Sequence, residues 1–374
     1  MHAATHDLAV VGGGVMGLCT ALEARRRFPE ARITVLDRSE IGLGASRHAP
    51  GIQLALGRTA TERDFARRSL KGWERIFPDA SWPVGRRLDL LWIASDVGKL
   101  REWQLGTGPG LSDGAAWMSR LSGLAAGMVP AGRATLADRC SYSPVRGIVV
   151  ELAGRLKREG CEIRENFGVD EITPCGDGVD IRGVDARTVR AKRAVVAIGP
   201  WLPGSHLVDE ADLRVRPRVK KVVAFHLDRQ PAPDCPAIAI QEDYVFLIPM
   251  IEDGYWLYSF TSNHWDVRPV ASELRVDDGD IERGMAILRK WFVHDVPGIA
   301  SSRVFCDCYG GDGAPFVVPH RSSGRVVFVG GGSGNGFRFA PACAEDAIDR
   351  LWSGAEGGRP ESRARVAAEA AVSR

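Results

Sequence analysis

Gly12, Gly14 and Gly17 stand in the spacing G-x-G-x-x-G, and Asp37 follows at the end of the next apolar run. Together these residues can hold a dinucleotide. Gly12 permits a tight turn, Gly14 lets the backbone approach a pyrophosphate, and Gly17 lets a helix pack closely on a strand. Val15 and Met16 lie in the turn, and the N-terminus of the helix after it offers free N–H groups and a positive dipole end to the anion. The Asp37 carboxylate can accept both hydroxyl protons of an unphosphorylated ribose, which favours FAD or NAD over NADP. Glycine turns of this spacing also recur for purely structural reasons, so the order of elements around them decides. A second group capable of chemistry is Cys306-Asp307-Cys308; the remaining cysteines are scattered, with no paired C-x-x-C knuckles for zinc.

The turn needs a strand before it and a helix after it. Residues 7–11 (DLAVV) are a short β-branched run read as a buried parallel strand, 18–27 are rich in helix formers, and 33–36 supply a second strand ending at Asp37. Two further buried strands, 194–198 and 325–329, also stop at glycines. Helices are expected at 61–77, with Phe65, Leu70, Trp73 and Ile76 on one face, and at 148–159, 280–292 and 341–352. Residues 42–51 and 105–114 read as loops, and the tail after Gly357 is expected to fray. Residues 86–94 alternate as a strand of a different sheet, and 215–265 read as an antiparallel sheet punctuated by Pro, Asp and Gly. The fold class is therefore α/β (α+β), with nucleotide motifs at both ends of the chain and a β-rich part inserted between them.

Composition excludes several partners. Lys plus Arg number 49 against 47 Asp plus Glu, a net charge of +2, so no nucleic acid partner is expected. No apolar run approaches the about 18 residues of a membrane span, and the first residues lack the pattern of a signal peptide, so a cytoplasmic protein is expected.

Three segments occur in order along the chain: Gly44-Ala45-Ser46-Arg47-His48-Ala49-Pro50-Gly51, Val195-Val196-Ala197-Ile198-Gly199-Pro200-Trp201 and Gly332-Ser333-Gly334-Asn335-Gly336-Phe337-Arg338-Phe339. Together they resemble the D-amino acid oxidase superfamily, and within it the glycine oxidase and monomeric sarcosine oxidase branch. The last is similar to that branch's G-x-S-G-x-G-F-K-F. The resemblance implies FAD. It also implies a Rossmann-like FAD-binding domain (1–80, 145–210 and 320–374) and an antiparallel-sheet substrate domain (81–144 and 211–319) covering the flavin. Besides the glycine turn, cofactor contacts are implied for Arg38, Ala45, Ser46, Arg47 and His48, for Val169, Gly199 and Trp201, and for the run from Gly332 to Arg338. The implied reaction oxidises the C–N bond of an amino acid, or of an N-substituted (secondary or cyclic) amino acid, to an imine, with O2 as acceptor giving H2O2. The alternative is a dehydrogenase of an amine or 2-hydroxy acid that uses another acceptor.

In the same resemblance Arg338 stands where the family motif carries its carboxylate-binding lysine, and a planar guanidinium suits both carboxylate oxygens. His48 and Tyr258 are further candidates for catalysis, with Tyr244 and His264 for the cavity wall. A covalent bond to flavin has three candidates. Counting back from Phe316 favours Cys306, matching the tyrosine after it favours Cys308, and the similarity of Arg47-His48-Ala49 to a W-H-A-A-G segment favours His48. Two departures stand out. Arginines that the branch carries after its second strand read here as Gly51 and Leu54, and the lysine that assists oxygen has no counterpart in 254–259, so slow reaction with oxygen or another acceptor is expected.

Overall fold

The computed structural model describes residues 6–78, 85–106, 111–114, 128, 134–208, 213, 215–292 and 295–353. In chain order the first elements are β1 (Leu8–Val11), α1 (Val15–Arg27), β2 (Ile33–Leu36), α2 (Ala60–Ile76), β3 (Arg86–Ala94), α3 (Val97–Trp103), β4 (Ser112–Asp113) and β5 (Ala134–Tyr142). Then come α4 (Val145–Arg158), β6 (Glu162–Arg164), β7 (Val169–Cys175), β8 (Gly178–Gly183), β9 (Thr188–Ala191) and β10 (Ala194–Val196). The last are β11 (Arg218–Leu227), β12 (Ala237–Ile240), β13 (Val245–Met250), β14 (Tyr255–Ser259), α5 (Asp278–Trp291), β15 (Ile299–Tyr309), β16 (Phe316–His320), β17 (Ser323–Gly330) and α6 (Gly336–Ser353).

A six-stranded sheet runs β16-β17-β10-β1-β2-β6, parallel except where β16 joins β17. Its central strands are apolar throughout because both faces are covered. Leu8 and Val10 pack among α1, α4 and α6, whereas Ala9 and Val11 face the small sheet β7-β8-β9. Each such Val or Leu contributes about 1.5–3 kcal/mol of burial. Register carries Val10 onto Val195 and Val195 onto Val327, so residues far apart in sequence meet in three adjacent strands.

The second sheet has eight strands in the order β15-β11-β14-β13-β12-β3-β5-β4. It is antiparallel as expected, except that β12 joins β3 in parallel. One face carries α5, with Phe225, Tyr258 and Phe260 against Leu288 and Trp291. A capping box, in which the carboxylates of Asp277 and Asp280 each accept the other's backbone N–H, starts that helix and stabilises it by about 1 kcal/mol. The other face, with Leu90, Trp92, Ala224 and Leu257, packs on Leu54 and Leu56 and so looks toward the first sheet.

Several elements differ from expectation. Helix α6 begins at Gly336 rather than 341 and keeps Pro341 within it. Tyr244 is not in β13 but in the turn before it, at φ 50°. Strands β7 and β15 escaped notice for a common reason: both are edge strands, paired on one side only, where Pro174 or Ser301-Ser302-Arg303 can interrupt the apolar pattern. Part of the 105–114 loop and the tail after Gly357 lie outside the described residues. Among the described residues no helix is long and apolar enough to cross a membrane.

Candidate active site

The first glycine turn separates folding from binding. Gly12 adopts φ +110°, and a Cβ there would lie 2.4 Å from the Ala197 carbonyl oxygen. A Cβ on Gly17 would lie 1.9 Å from the Gly12 oxygen. Both glycines are required by the fold alone. Gly14, the N-cap of α1, has φ −79°, and its Cβ would meet nothing nearer than Ser46 Oγ at 3.5 Å. Protein packing does not require glycine there, so the space over it suits an incoming anion at the helix end.

Around this cradle, Ser46 Oγ accepts from the Val15 N–H at 3.1 Å, within the short helical turn Ala45–Arg47. Asp37 accepts from the N–H groups of Gly13 (2.7 Å) and Ser39 (2.9 Å). Burial nonetheless raises its pKa above the ordinary carboxylate value. Each carboxylate oxygen keeps a lone pair for a hydroxyl donor. The Arg38 guanidinium lies 3.8 Å over the Trp201 ring, which follows Gly199 at φ +58°. Val169 opens β7 next to Phe167, whose N–H donates to the Asp37 carbonyl at 2.7 Å.

The second glycine loop bends sharply, with positive φ at Gly331 (68°), Ser333 (51°) and Gly334 (80°). Strand β15 of the other sheet holds that shape. Ser333 N–H donates to the Cys308 carbonyl (3.0 Å), Gly310 N–H to Ser333 Oγ (3.0 Å), and Gly334 N–H to Asp307 Oδ2 (2.8 Å). Met16 lies close to both Gly332 and Gly336, joining the two glycine loops. Phe337 turns inward onto Trp73, 4.7 Å between rings. Arg338 is buried, donating to Asn335 Oδ1 (3.1 Å) and the Leu56 carbonyl (2.5 Å). Burial pulls its pKa down to about 10; Glu62 opposes that shift and Arg58 adds to it. No carboxylate forms an ion pair with it among the described residues.

The wall opposite is β15 with β11 and β14. Alternation along β15 turns Phe305, Asp307 and Tyr309 toward the glycine loops and Cys306 away. The Phe305 ring stacks on His48 at 5.2 Å. Burial lowers the His48 pKa, with Arg47 and Arg303 adding to the effect. Lys220, 6% exposed, sits 4.8 Å from the Trp265 ring and 5.2 Å from that of Tyr309, without a carboxylate partner among the described residues. Burial lowers its pKa, and Arg283 adds to that. Arg303 donates to His226 Nε2 (3.0 Å), to the His48 carbonyl (3.1 Å) and to the Tyr255 hydroxyl (2.7 Å).

Three expectations need correction. Tyr258 does not line a cavity: it is fully buried under α5, its hydroxyl donating to the Gly284 carbonyl at 3.0 Å. Cys306 pairs across the sheet with Lys221, whose ammonium lies on the α5 side, 2.8 Å from Asp277 and 2.5 Å from Asp280. Burial pushes the Cys306 thiol up to about 11 and Cys308 up to about 12, so neither environment favours a thiolate. His264 stands beside Asp277 and Asp280 in an arrangement able to ligate a metal, but the Lys221 ammonium already serves as the cation there.

Lys220, Arg58, Arg303 and His226 were missed. The signal for Lys220 was present, since adjacent lysines in a strand must face opposite sides. A cavity of about 540 Å³ is lined on one side by Tyr244 and carries Glu242, Asp243 and Glu282 together with Arg283; it contains none of the glycine-loop residues.

The family of FAD dependent oxidoreductases designated DAO matches residues 7–350. The chain belongs to that family. It is an FAD-dependent oxidoreductase, and the space over Gly14 with the acceptor Asp37 fits the cofactor's pyrophosphate and ribose. Among solved DAO-type structures, glycine oxidase from Geobacillus kaustophilus is similar at 18% identity and TM-score 0.71, with 92% of this chain and 94% of that one covered. NikD, described as an unusual amino acid oxidase essential for nikkomycin biosynthesis, is similar at 20% identity and TM-score 0.74, covering 97% of each chain. L-proline dehydrogenase from P. horikoshii is similar at 15% identity and TM-score 0.76, with 94% and 95% covered. No curated protein matches in sequence.

Proposed function

We propose that this DAO-family enzyme oxidises the C–N bond of an amino acid, or of a secondary or cyclic N-substituted amino acid, to an imine that water hydrolyses. The observation that carries this reading is the buried Arg338 guanidinium, which has no carboxylate partner among the described residues. A buried cation lacking a counter-charge is costly, and a substrate carboxylate supplies one while using N–H donors that Asn335 and Leu56 leave free. Similar structures described as amino acid oxidases and a proline dehydrogenase support the substrate class.

FAD supplies the two-electron acceptor when bound. The chain's own residues supply position: Arg338 orients the carboxylate, and the wall of Phe305, Tyr309 and Lys220 excludes water from the amine. We assign FAD to the portion built from 1–80, 145–210 and 320–374, with 81–144 and 211–319 covering the substrate. O2 as the final acceptor, giving H2O2, is supported by Lys220. It presents a buried ammonium from β11 where β14 lacks the expected lysine. A dehydrogenase reading remains the second, because the similar structures include one.

The test is anaerobic addition of N-methylglycine, proline, pipecolate and D-amino acids to the yellow holoenzyme. Bleaching of the flavin band by at least one is expected; no bleaching by any would sink the reading. Admitting air then separates the acceptors, since an oxidase recovers its colour with release of peroxide.

A further inference from the structure

Beyond Arg338, a second cation stands on the short segment that Arg338 contacts. The Arg338 fork binds the Leu56 carbonyl, and Arg58, two residues on, holds its guanidinium 4.9 Å from the Tyr244 ring and 5.8 Å from the Trp103 ring. Among the described residues no carboxylate pairs with it. The nearby acid does not neutralise it by a side-chain contact, because Glu62 Oε2 accepts instead from the Arg58 backbone N–H at 2.8 Å. Tyr244 is 53% exposed and held at φ 50°, an uncommon conformation for a tyrosine that keeps its ring beneath the guanidinium. The Arg58 charge reaches inward: burial lowers the Arg338 pKa and Arg58 adds to that, while burial and Asp307 raise the Tyr309 pKa and Arg58 opposes them. Two cations that repel one another, one buried and one on an aromatic lip, are relieved together by a ligand that carries two negative charges.

We infer that Arg58 is a specificity residue and that the preferred substrate is an amino acid with an acidic side chain, its α-carboxylate on Arg338 and its distal carboxylate on Arg58. This rests on the amino acid reading above. Tyr244 and Trp103 keep the guanidinium in place, and the planar fork gives the distal carboxylate paired donors.

The experiment uses non-reacting acids, so it needs no turnover. Glutarate and butyrate are titrated into the holoenzyme while the flavin absorbance is followed, for the unaltered protein, Arg58→Gln, Arg58→Lys and Arg338→Gln. Glutarate is expected to bind about tenfold or more tighter than butyrate, a preference that falls to about twofold in Arg58→Gln and is partly kept in Arg58→Lys. Equal binding of the two acids by the unaltered protein, or a preference that survives Arg58→Gln, overturns the inference. Butyrate binding that persists in Arg338→Gln overturns the parent reading instead, and failure of both acids to bind overturns both.

Discussion

Asp307 Oδ2 accepts the Gly334 N–H at 2.8 Å, so a half-buried carboxylate on the edge strand of one sheet fixes the glycine loop of the other. Asp307 thereby takes the position on β15 that faces the cofactor side, and the cysteines on either side of it point elsewhere. Acid precipitation of the holoenzyme is expected to leave the yellow colour in the supernatant. Colour in the pellet, with a flavin-bearing peptide containing Cys306, Cys308 or His48, would show that a covalent link forms despite this alternation.

Arg338→Gln removes the guanidinium and keeps one amide donor. The reductive half-reaction with an amino acid is expected to slow by about 100-fold in rate constant over dissociation constant, as the loss of a charge-assisted paired bond implies. An amine without a carboxylate should react equally with both proteins. Equal losses for both substrates would mean that Arg338 acts through the fold.

Lys220→Met leaves the hydrophobic stem and removes the charge. Anaerobic reduction is expected to persist while reoxidation by O2 slows by about 10- to 100-fold. The sign of the pH effect follows from burial, which favours the neutral amine and lowers the pKa from 10.5. Reoxidation should therefore decline with rising pH at a point below 10.5, and the decline should be absent in Lys220→Met. Unchanged reoxidation in the variant would assign oxygen reactivity to another group.

His226 is held neutral, its pKa pulled from 6.5 to about 4 by burial and then by Arg303. An unfolded chain binds a proton at this imidazole below pH 6.5, whereas the folded one resists until about 4. Its contribution to stability is thus present above 6.5 and is lost as pH falls through that window. The thermal midpoint of the unaltered protein should drop more steeply from pH 7 to 4 than that of His226→Gln. Parallel profiles would refute the assignment.

The nucleotide-binding half was legible because its signals are local: apolar runs broken by glycine, with Asp37 at a strand end. Arg338 could be singled out because the motif from Gly332 to Phe339 is continuous in sequence. Tyr258 misled because period-2 alternation says that a residue faces one side of a sheet but not which side carries a helix, and α5 covers its side. Arg303 and His226 are invisible to local pattern, since β15 meets β11 only through a register spanning Arg218–Tyr309 to Leu227–Ile299. Cys306 attracted notice for its chemistry, yet a one-residue difference in phase sends its thiol to the opposite face.

The register that sets Val10 beside Val195, and Val195 beside Val327, also governs when this protein can exist during synthesis. The first strand leaves the ribosome long before its neighbour β10, and the sheet is not closed until β16 and β17 are in place. Such non-local pairing slows folding and leaves apolar strand edges open in the interval. Nascent chains ending before residue 330 therefore present β10 as a bare edge, and the strand that completes the sheet leads through the glycine loop into the helix whose first turn carries Arg338.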